Sequence, residues 1–417
     1  MSIASTPLPP HALEQRLPLD VPLLAALVSL LGLGLTLVGS ASFSISEQAY
    51  GSPFHYLIRQ SLYVGAGLLL MLAVARTQTR FIERSGPWLL LVTLIMLIVV
   101  LIPGLGRSVN GGTRWIPLGV VNIQVAELAK LFVVIYLAGY LVRQGAVVRS
   151  HVSGFLKPMV LVLLISVLLL LQPDFSASAV LLTTVLGMMF LGGVKLWQFG
   201  ILFSVCAAAM SALAIAEPYR LRRIMGFMDP WADPFDSGFQ LTQALIAIGR
   251  GEWFGVGLGE SVQKLFYLPE AHTDFLFAVL AEETGLVGSV LVMGLYALLI
   301  WRIFAVAVAA EGLGRMFNAY ACWGIGSWIA LQVFINLGVN MGLLPTKGLT
   351  LPLMSYGGSS MLVTCMALGV VLRIDYENHR VRRKPRGAGA ASPMGASQSV
   401  PRRSEPLDEG SAGGYAS

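Results

Sequence analysis

The sequence predicts an all-α polytopic membrane protein with about ten transmembrane helices. Of its 417 residues, 56% are hydrophobic and only 12% are charged, whereas soluble chains carry about a quarter charged residues. Apolar runs long enough to cross a bilayer, which takes about 20 residues, recur along the chain. Lysine and arginine are distributed unequally between the connections, and this bias predicts an orientation.

The predicted spans follow one another through short connections, except between the seventh and the eighth. They lie at about residues 22–42, 57–75, 87–103, 125–142, 159–171, 177–193, 197–216, 275–301, 317–339 and 354–373. The first run is too long for the apolar core of a signal peptide, so we interpret it as a retained helix. Residues 217–274 form a predicted large extracytoplasmic loop within a membrane domain at 21–376.

The two termini are predicted to be cytoplasmic tails. Residues 1–20 are polar and rich in proline, and residues 377–417 are mostly basic residues followed by Gly, Ala, Ser and Pro, which predicts disorder. With the termini inside, the inner connections and the C-terminal flank hold most of the basic residues: Arg76, Arg80, Arg84, Arg143, Arg149, Lys157, Lys195, Arg302, Arg315 and six between 373 and 386. The short outer connections hold only Arg59, Arg107, Arg114 and Lys347.

Several kinds of chemistry are excluded by composition. Cys206, Cys322 and Cys365 lie far apart in apolar runs, which argues against disulfides and a cysteine metal site. The five histidines do not cluster, and there is no P-loop or dinucleotide fingerprint. The net charge of +6 reflects membrane orientation, so we expect no nucleic-acid partner.

The first polar segment spans residues 106–130, at the outer end of the fourth helix. The turn signal at Asn110 presents Arg107 and Arg114 at the outer surface. Glu127 and Lys130 fall three residues apart, on one face of the helix. Glu127 and Lys130 either form a packed ion pair, or Lys130 and the two arginines form an anion site that is reached from outside.

The long loop carries a second cluster. Arg220, Arg222 and Arg223 lie outside against the charge bias, either because long loops translocate regardless of charge or because they hold phosphate groups. Residues 241–248 have too few apolar side chains to cross the membrane, so this stretch is expected to lie at the interface or to insert halfway.

A carboxylate at the outer end of the eighth span is the main functional clue, since charge there is unfavourable unless it serves a function. This residue is Asp274, with Glu282 about 12 Å further in at 1.5 Å per residue. A stripe of small residues lies beneath Asp274: Ala278, Ala281, Gly285 and Gly288. The stripe predicts either close helix contact or the floor of a groove for a lipid chain.

The ninth helix carries a polar line that leads to an outer loop rich in Gly and Pro. Gln332, Asn336 and Asn340 are spaced by four residues, and such lines often bind helices together. In the loop, Lys347 and Ser355 could add a cation and a hydroxyl group to an outward-facing cavity.

Together these segments resemble the SEDS family (shape, elongation, division and sporulation) of bacterial membrane proteins. The matching motifs are NGGTRWIPLG with VAELAK, QPDFSAS, LPEAHTDFLFAVLAEETGLVG and NLGVNMGLLPTKGLTLPLMSYGGSS, in this order. The resemblance covers about residues 22–373. Residues 233–275 and the sequence PTKGLTLPLMSYGGSS are more similar to the division member of the family than to its elongation member.

The resemblance implies a peptidoglycan glycosyltransferase that polymerises lipid II, the undecaprenyl-diphosphate-linked disaccharide peptide. It would act at the outer face of the cytoplasmic (inner) membrane, at the division septum. The family aspartate considered essential corresponds to Asp274, in the motif HTDF with His272 and Thr273. The implied partners are a class B penicillin-binding transpeptidase and other proteins of the division machinery.

The chemistry of this reaction fits the residues found. Lipid II carries an α-linked diphosphate and the product linkage is β, so one inverting displacement needs one base and positive charge for the diphosphate. We predict that Asp274 is the base, with its pKa raised by partial desolvation. The cation candidates are Arg107, Arg114, Lys130, Lys347 and the cluster of Arg220 and Arg223, with or without Mg²⁺ or Mn²⁺. Further candidates for substrate contact are Asn110, Glu127, His272, Thr273 and Ser355.

Two other functions remain open from the sequence. A lipid II flippase would suit ten spans with intramembrane charges, although its site should lie near the midplane and the motifs concentrate on the outer side. A division scaffold without catalysis would explain the tails but not Asp274.

Overall fold

The computed structural model describes residues 20–109, 112–117, 122–195, 197–201, 203–204, 207–208, 211, 227, 229–234, 238–265, 267–346 and 348–383. Ten helices and three strands have defined bounds within these residues. The helices are α1 Val21–Tyr50, α2 His55–Arg76, α3 Thr79–Leu101, α4 Val125–Ser150, α5 Val152–Leu171, α6 Phe175–Leu191, α7 Phe239–Gly251, α8 Leu276–Gly312, α9 Met316–Asn340 and α10 Gly358–Arg383. The strands are β1 Arg107–Val109, β2 Gly112–Pro117 and β3 Asn122–Gln124.

The predicted polytopic helical fold is confirmed. Eight of these helices are long and apolar enough to cross a membrane, and the apolar α6 is slightly shorter, with 17 residues. They correspond to nine of the ten predicted spans. Half of the remaining span, residues 197–216, falls outside the described residues, and its described residues are helical.

Several helices extend beyond their apolar runs, which the sequence analysis did not predict. α3 begins at Thr79 and contains Pro87, and α5 begins at Val152 and contains Pro158. An interior proline removes a hydrogen bond and clashes with the preceding turn, but both helices nevertheless include the polar turns before it. Hydropathy alone reports the apolar part of a helix rather than its length.

The boundary of the C-terminal tail requires a correction. Residues 377–383 were predicted to begin the disordered tail, but they continue α10 as far as Arg383. The physical reason is that Glu377 accepts hydrogen bonds from Thr79 Oγ1 at 2.7 Å and from Arg373 Nε at 2.7 Å. Residues 384–417 lie outside the described part of the chain.

A small antiparallel sheet adds to the all-α fold between α3 and α4. β2 is its central strand, with Ser108 opposite Thr113 and Trp115 opposite Gln124. The dipeptide Asn110-Gly111 between β1 and β2 is a strong hairpin signal, which the sequence analysis interpreted only as a turn.

Helix α8 is broken at Gly285, where φ is +66° and ψ is −162°. Leu286 N donates a hydrogen bond to Glu252 O at 2.9 Å, and Val256 N donates to Glu282 O at 3.0 Å. The segment after α7 therefore inserts into the break and satisfies backbone groups that lipid could not.

This insertion shows what the small-residue stripe does. A Cβ atom on Gly251 would lie 1.9 Å from Ala281 O, and one on Gly255 would lie 2.1 Å from Glu283 O. Only glycine permits such close backbone contact. The stripe at Ala281 and Gly285 therefore packs against the segment following α7, and the lipid-groove interpretation is wrong at these residues.

Two buried carboxylates of α8 bind the same region of the loop between α7 and α8. Glu282 accepts hydrogen bonds from Ser261 Oγ at 2.5 Å and from Val262 N at 3.2 Å. Glu283 forms an ion pair with Lys264 at 3.0 Å and accepts a bond from Ser40 Oγ on α1. The partner that the sequence analysis required for Glu282 is thus supplied by the loop.

The start of the first described helix and the end of the last one lie on the same face of the bundle. Asp20, the N-cap of α1, forms an ion pair with Arg302 at 2.7 Å in the second half of α8. Near the end of α10, Asn378 Nδ2 donates to Val306 O at 3.3 Å, one turn further along α8. Their common position agrees with an even number of crossings.

Candidate active site

Asp274 lies in the turn that precedes α8, and its main chain is held from two sides. Asp274 O accepts hydrogen bonds from Asn336 Nδ2 at 2.9 Å and Asn340 Nδ2 at 3.0 Å. Asp274 N donates to Glu270 O at 3.1 Å. These bonds fix the backbone of Asp274, while its half-buried side chain makes no hydrogen bond or ion pair among the described residues.

The polar line of α9 joins the start of α8 to the loop that precedes α10. Asn340 Oδ1 accepts a hydrogen bond from Ala278 N at 3.1 Å, and Asn336 Nδ2 donates to Leu349 O at 2.6 Å. One turn deeper, Gln332 Nε2 donates to Thr350 O at 3.0 Å. The line therefore binds elements together, and through them it positions Asp274.

The loop before α10 approaches the carboxyl group itself. A Cβ atom on Gly348 would lie 3.0 Å from Asp274 Oδ2. A side chain at position 348 would press on the carboxylate, so this glycine leaves space beside it. The sequence analysis did not single out Gly348, and the neighbouring candidate Lys347 lies outside the described residues.

The electrostatic surroundings of Asp274 suit a general base. Burial raises the pKa of Asp274 from 3.8 to about 7, the negative charge of Glu270 adds to this rise, and Arg114 opposes it. A base is most effective when its pKa lies near the working pH, because it is then deprotonated and still basic. The predicted direction of the pKa shift is confirmed.

The rings of Tyr56 and Tyr356 pack around His272, two residues before Asp274, and the three rings form an aromatic wall. The ring of His272 lies 4.8 Å from that of Tyr56 and 5.6 Å from that of Tyr356, while the two tyrosine rings are 5.0 Å apart. Tyr356 N donates to His272 O at 3.0 Å, which ties the wall to the HTDF turn. Burial lowers the pKa of His272, so its ring is neutral at pH 7.

Among the predicted outer cations that the structure describes, Arg114 is the one whose charge acts on Asp274. The sheet presents it from β2, where its Nε donates to Gln172 O at 3.1 Å and its Nη2 to Pro173 O at 2.7 Å. These bonds hold the guanidinium close enough to lower the pKa of Asp274. Arg107 is exposed on the edge strand β1.

Lys130 and Glu127 form a buried pair between α4 and α9. Lys130 Nζ donates to Glu127 Oε1 and to Gln332 Oε1, both at 2.8 Å, and it lies 5.1 Å from the centre of the Trp328 ring. Lys130 is only 1% exposed. These contacts correspond to the packed-pair alternative, whereas a contact with substrate stays a prediction.

The remaining candidates support the turns around Asp274 or lie outside the described residues. Thr273 Oγ1 donates to Glu270 Oε2 at 2.8 Å, and the buried Ser355 Oγ accepts from Leu351 N at 2.9 Å. The candidates without a described position are Asn110, Arg220, Arg223 and Lys347.

The described part of the chain contains no group of three His, Cys, Asp or Glu residues that could hold a metal ion. A Mg²⁺ ion commonly uses only one or two protein carboxylates together with substrate phosphates and water.

Comparison with known proteins identifies relatives over nearly the whole chain. The family model described as cell cycle protein, which covers FtsW, RodA and SpoVE, matches residues 21–380. A probable peptidoglycan glycosyltransferase FtsW from Thioalkalivibrio sulfidiphilus is 55% identical over 383 residues, covering 91% of this chain and 95% of the relative. The protein of the same name from Legionella pneumophila is 52% identical over 356 residues, covering 85% and 90%.

Solved structures share the architecture. A chain from a peptidoglycan synthase complex, reported for the structural coordination of polymerization and crosslinking, is 32% identical, with a TM-score of 0.72. The alignment covers 88% of this chain and 100% of that one. The rod shape determining protein RodA of Thermus thermophilus is 31% identical, with a TM-score of 0.65 and coverage of 87% and 98%.

Proposed function

Because the chain belongs to the FtsW/RodA/SpoVE family of cell cycle proteins, we propose that it is a peptidoglycan glycosyltransferase. Its substrate would be lipid II, which it would polymerise into glycan strands. The proposal depends on Asp274, whose carboxyl group lies just before the start of α8 and has a pKa of about 7. A base with this pKa, at the level of a lipid head group, is what transfer to a sugar hydroxyl requires.

The proposed reaction is a single inverting displacement. The Asp274 carboxylate takes the proton from the acceptor 4-hydroxyl while the oxygen attacks the anomeric carbon of the donor. The bond from that carbon to the diphosphate breaks, and its electron pair leaves with the diphosphate. The bonds from Asn336 and Asn340 to Asp274 O hold the base in place, which reduces the reorganisation needed to reach the transition state.

Positive charge is needed where the diphosphate departs. Arg114 is the best supported cation, because its guanidinium is held by two carbonyl groups and lowers the pKa of Asp274. Arg107, Lys347 and the cluster of Arg220 and Arg223 belong to the same proposal as further cations at the outer side. A Mg²⁺ or Mn²⁺ ion bound with the diphosphate would neutralise the same developing charge.

The cellular setting follows from the orientation and from the relatives. Both termini are proposed to be cytoplasmic, which places Asp274 at the outer face of the inner membrane. The related synthase complex coordinates polymerization with crosslinking, which supports a class B penicillin-binding transpeptidase as partner. The description of the matching family as cell cycle proteins supports our proposal that the protein acts with the division machinery at the septum.

The flippase alternative is less well supported by the described contacts. A translocation path needs polar groups that are available near the midplane. The deep groups are instead bonded to one another, Lys130 to Glu127 and Gln332, and Glu283 to Lys264.

Liposomes containing the protein, the transpeptidase and lipid II in one leaflet distinguish the two functions. Lipid II in the leaflet next to Asp274 should be converted to polymer without any need to change leaflet. If lipid II crosses the bilayer and no polymer forms, once the partner is shown to be bound, the proposed glycosyltransferase activity is wrong.

A further inference from the structure

An arginine-rich cavity of about 370 Å³ lies where α3 and α9 begin and α10 ends. Four arginines and a single carboxylate line it, together with an apolar residue: Arg80, Arg315, Arg373, Arg380, Glu377 and Val381. α9 has 25 residues and leads from this cavity to the Asp274 region. At 1.5 Å per residue the two sites are roughly 35 Å apart, so the cavity belongs to the opposite membrane face.

The single carboxylate is fully occupied in holding two of the arginines. Glu377 accepts hydrogen bonds from Arg373 Nε at 2.7 Å, from Arg315, and from Thr79 N and Oγ1. Arg315 Nη1 also donates to Asn378 Oδ1 at 3.1 Å. The guanidinium groups of Arg315 and Arg373 are therefore fixed in position before any ligand arrives.

The other two arginines give the cavity an uncompensated positive charge. Arg80 and Arg380 are exposed and form no ion pair within 4 Å among the residues that the structure describes. Helix α9 also begins here, and among the described residues no side chain caps its first N–H groups. Guanidinium groups and helix N-termini both favour an anion with several oxygen atoms, such as phosphate.

Apolar side chains stand next to this charge. Val381 lines the cavity and is 46% exposed, and Phe81, which follows Arg80 in α3, is 67% exposed. A general excess of basic residues on one membrane face would place them on solvated surfaces. A cavity that combines fixed arginines with apolar neighbours instead fits an amphiphilic ligand with an anionic head.

We propose that this cavity binds the phosphate group of an anionic phospholipid from the leaflet opposite to Asp274. Basic pockets between transmembrane helices are suited to acidic head groups, and the acyl chains would lie along the lipid-facing side of α3 and α10. The site is separate from the proposed glycosyltransferase centre and does not depend on it.

Native mass spectrometry of the full-length protein in detergent tests the proposal. Wild type is expected to retain phosphatidylglycerol in preference to phosphatidylcholine. The variant Arg80→Gln/Arg380→Gln loses two charge-assisted contacts, and its apparent affinity for phosphatidylglycerol should fall by at least about tenfold. The matched control, Arg76→Gln/Arg143→Gln, removes the same charge from exposed arginines outside the cavity and should retain the lipid.

Three results would overturn the proposal. Wild type could retain the two lipids equally, or the cavity variant could retain phosphatidylglycerol as well as the control does. In a third arm, inorganic phosphate could stabilise the protein against heat as strongly as phosphatidylglycerol, with the effect lost in the cavity variant. That result would assign the cavity to soluble phosphate instead of a lipid.

Discussion

At the scale of single residues, Asp274 combines two environments that are rarely found together. Its backbone oxygen is fixed by two asparagine side chains of α9, while its carboxyl group is desolvated and lies near Glu270 and Arg114. The backbone is fixed, and the carboxylate has no ion pair among the described residues, so a basic group is held in a defined place. This arrangement is suited to proton transfer and would contribute little as a structural ion pair.

The rate of glycan synthesis should therefore depend on pH through Asp274. With a pKa of about 7, the deprotonated fraction and the rate should fall about tenfold per pH unit below 7 and level off above it. Rates of polymer formation at saturating lipid II between pH 5 and 9 measure this. A rate that is flat down to pH 5 would contradict a base with a raised pKa.

The same shift makes a prediction for stability. The folded state holds the Asp274 proton up to about pH 7, whereas the unfolded chain releases it near 3.8, so stability is lost as pH rises between these values. Asp274→Asn removes the ionisation. Its Tm relative to wild type should accordingly be higher at pH 8 than at pH 4, as measured by thermal unfolding in detergent. An equal difference in Tm at the two pH values would exclude the raised pKa.

At the scale of elements, α8 and the loop that joins it to α7 form one unit. The segment after α7 inserts into the break at Gly285, and the carboxylates of Glu282 and Glu283 hold residues 261–264. Asp274 lies between these two fastened regions in sequence. We expect the position of the base to depend on this unit as a whole.

Gly285→Ala tests the break. Its backbone conformation (φ +66°, ψ −162°) is accessible almost only to glycine, and a Cβ atom would lie 2.4 Å from Gly255 N. We expect destabilisation of roughly 3 kcal/mol, seen as a lower Tm. Gly294→Ala in the same helix is the control, because a Cβ atom there meets nothing within 4 Å. Equal Tm values for the two variants would show that the break is not a structural requirement.

Lys264→Met tests the buried ion pair. Glu283 is 1% exposed, and an unpaired buried carboxylate costs about 3–5 kcal/mol. The double variant Lys264→Met/Glu283→Gln should be more stable than Lys264→Met alone. Arg250→Met is the control: Arg250 is 45% exposed and pairs with Glu282 at 3.3 Å. Glu282 is also buried, but it keeps its hydrogen bonds from Ser261 Oγ and Val262 N, so we expect a smaller loss of stability than for Lys264→Met. If Lys264→Met is no less stable than Arg250→Met, Lys264 does not compensate a buried charge.

At the scale of the whole molecule, the crossings were predictable and the contacts between distant segments were not. Lipid is a uniform solvent, so the length of an apolar run reports a crossing directly. The same reasoning identified Asp274, because a charge at the end of a span is unfavourable without a function. Helix ends at Thr79 and Arg383 were missed because polar turns that extend beyond the membrane carry no hydropathy signal.

The surroundings of Asp274 required the tertiary structure. The Tyr56 ring packs on His272, and Gly348 leaves space beside the carboxylate, although both are far from Asp274 in sequence. The insertion at Gly285 likewise joins segments whose contact depends on backbone hydrogen bonds, which side-chain patterns do not encode. The sequence therefore singled out Asp274 as the candidate base and left most of its supporting contacts unknown.

One measurement tests the central claim most directly. Wild type and Asp274→Asn would each be combined with the transpeptidase partner and lipid II, and the glycan chains resolved on a gel, with Tm and partner binding recorded as controls for folding. We expect Asp274→Asn to remain folded and bound to its partner but to lose at least ~10²-fold in glycan synthesis, since a positioned base contributes about 10²–10⁴-fold. Polymer from the folded variant at a near-normal rate would contradict the assignment of Asp274 as the base.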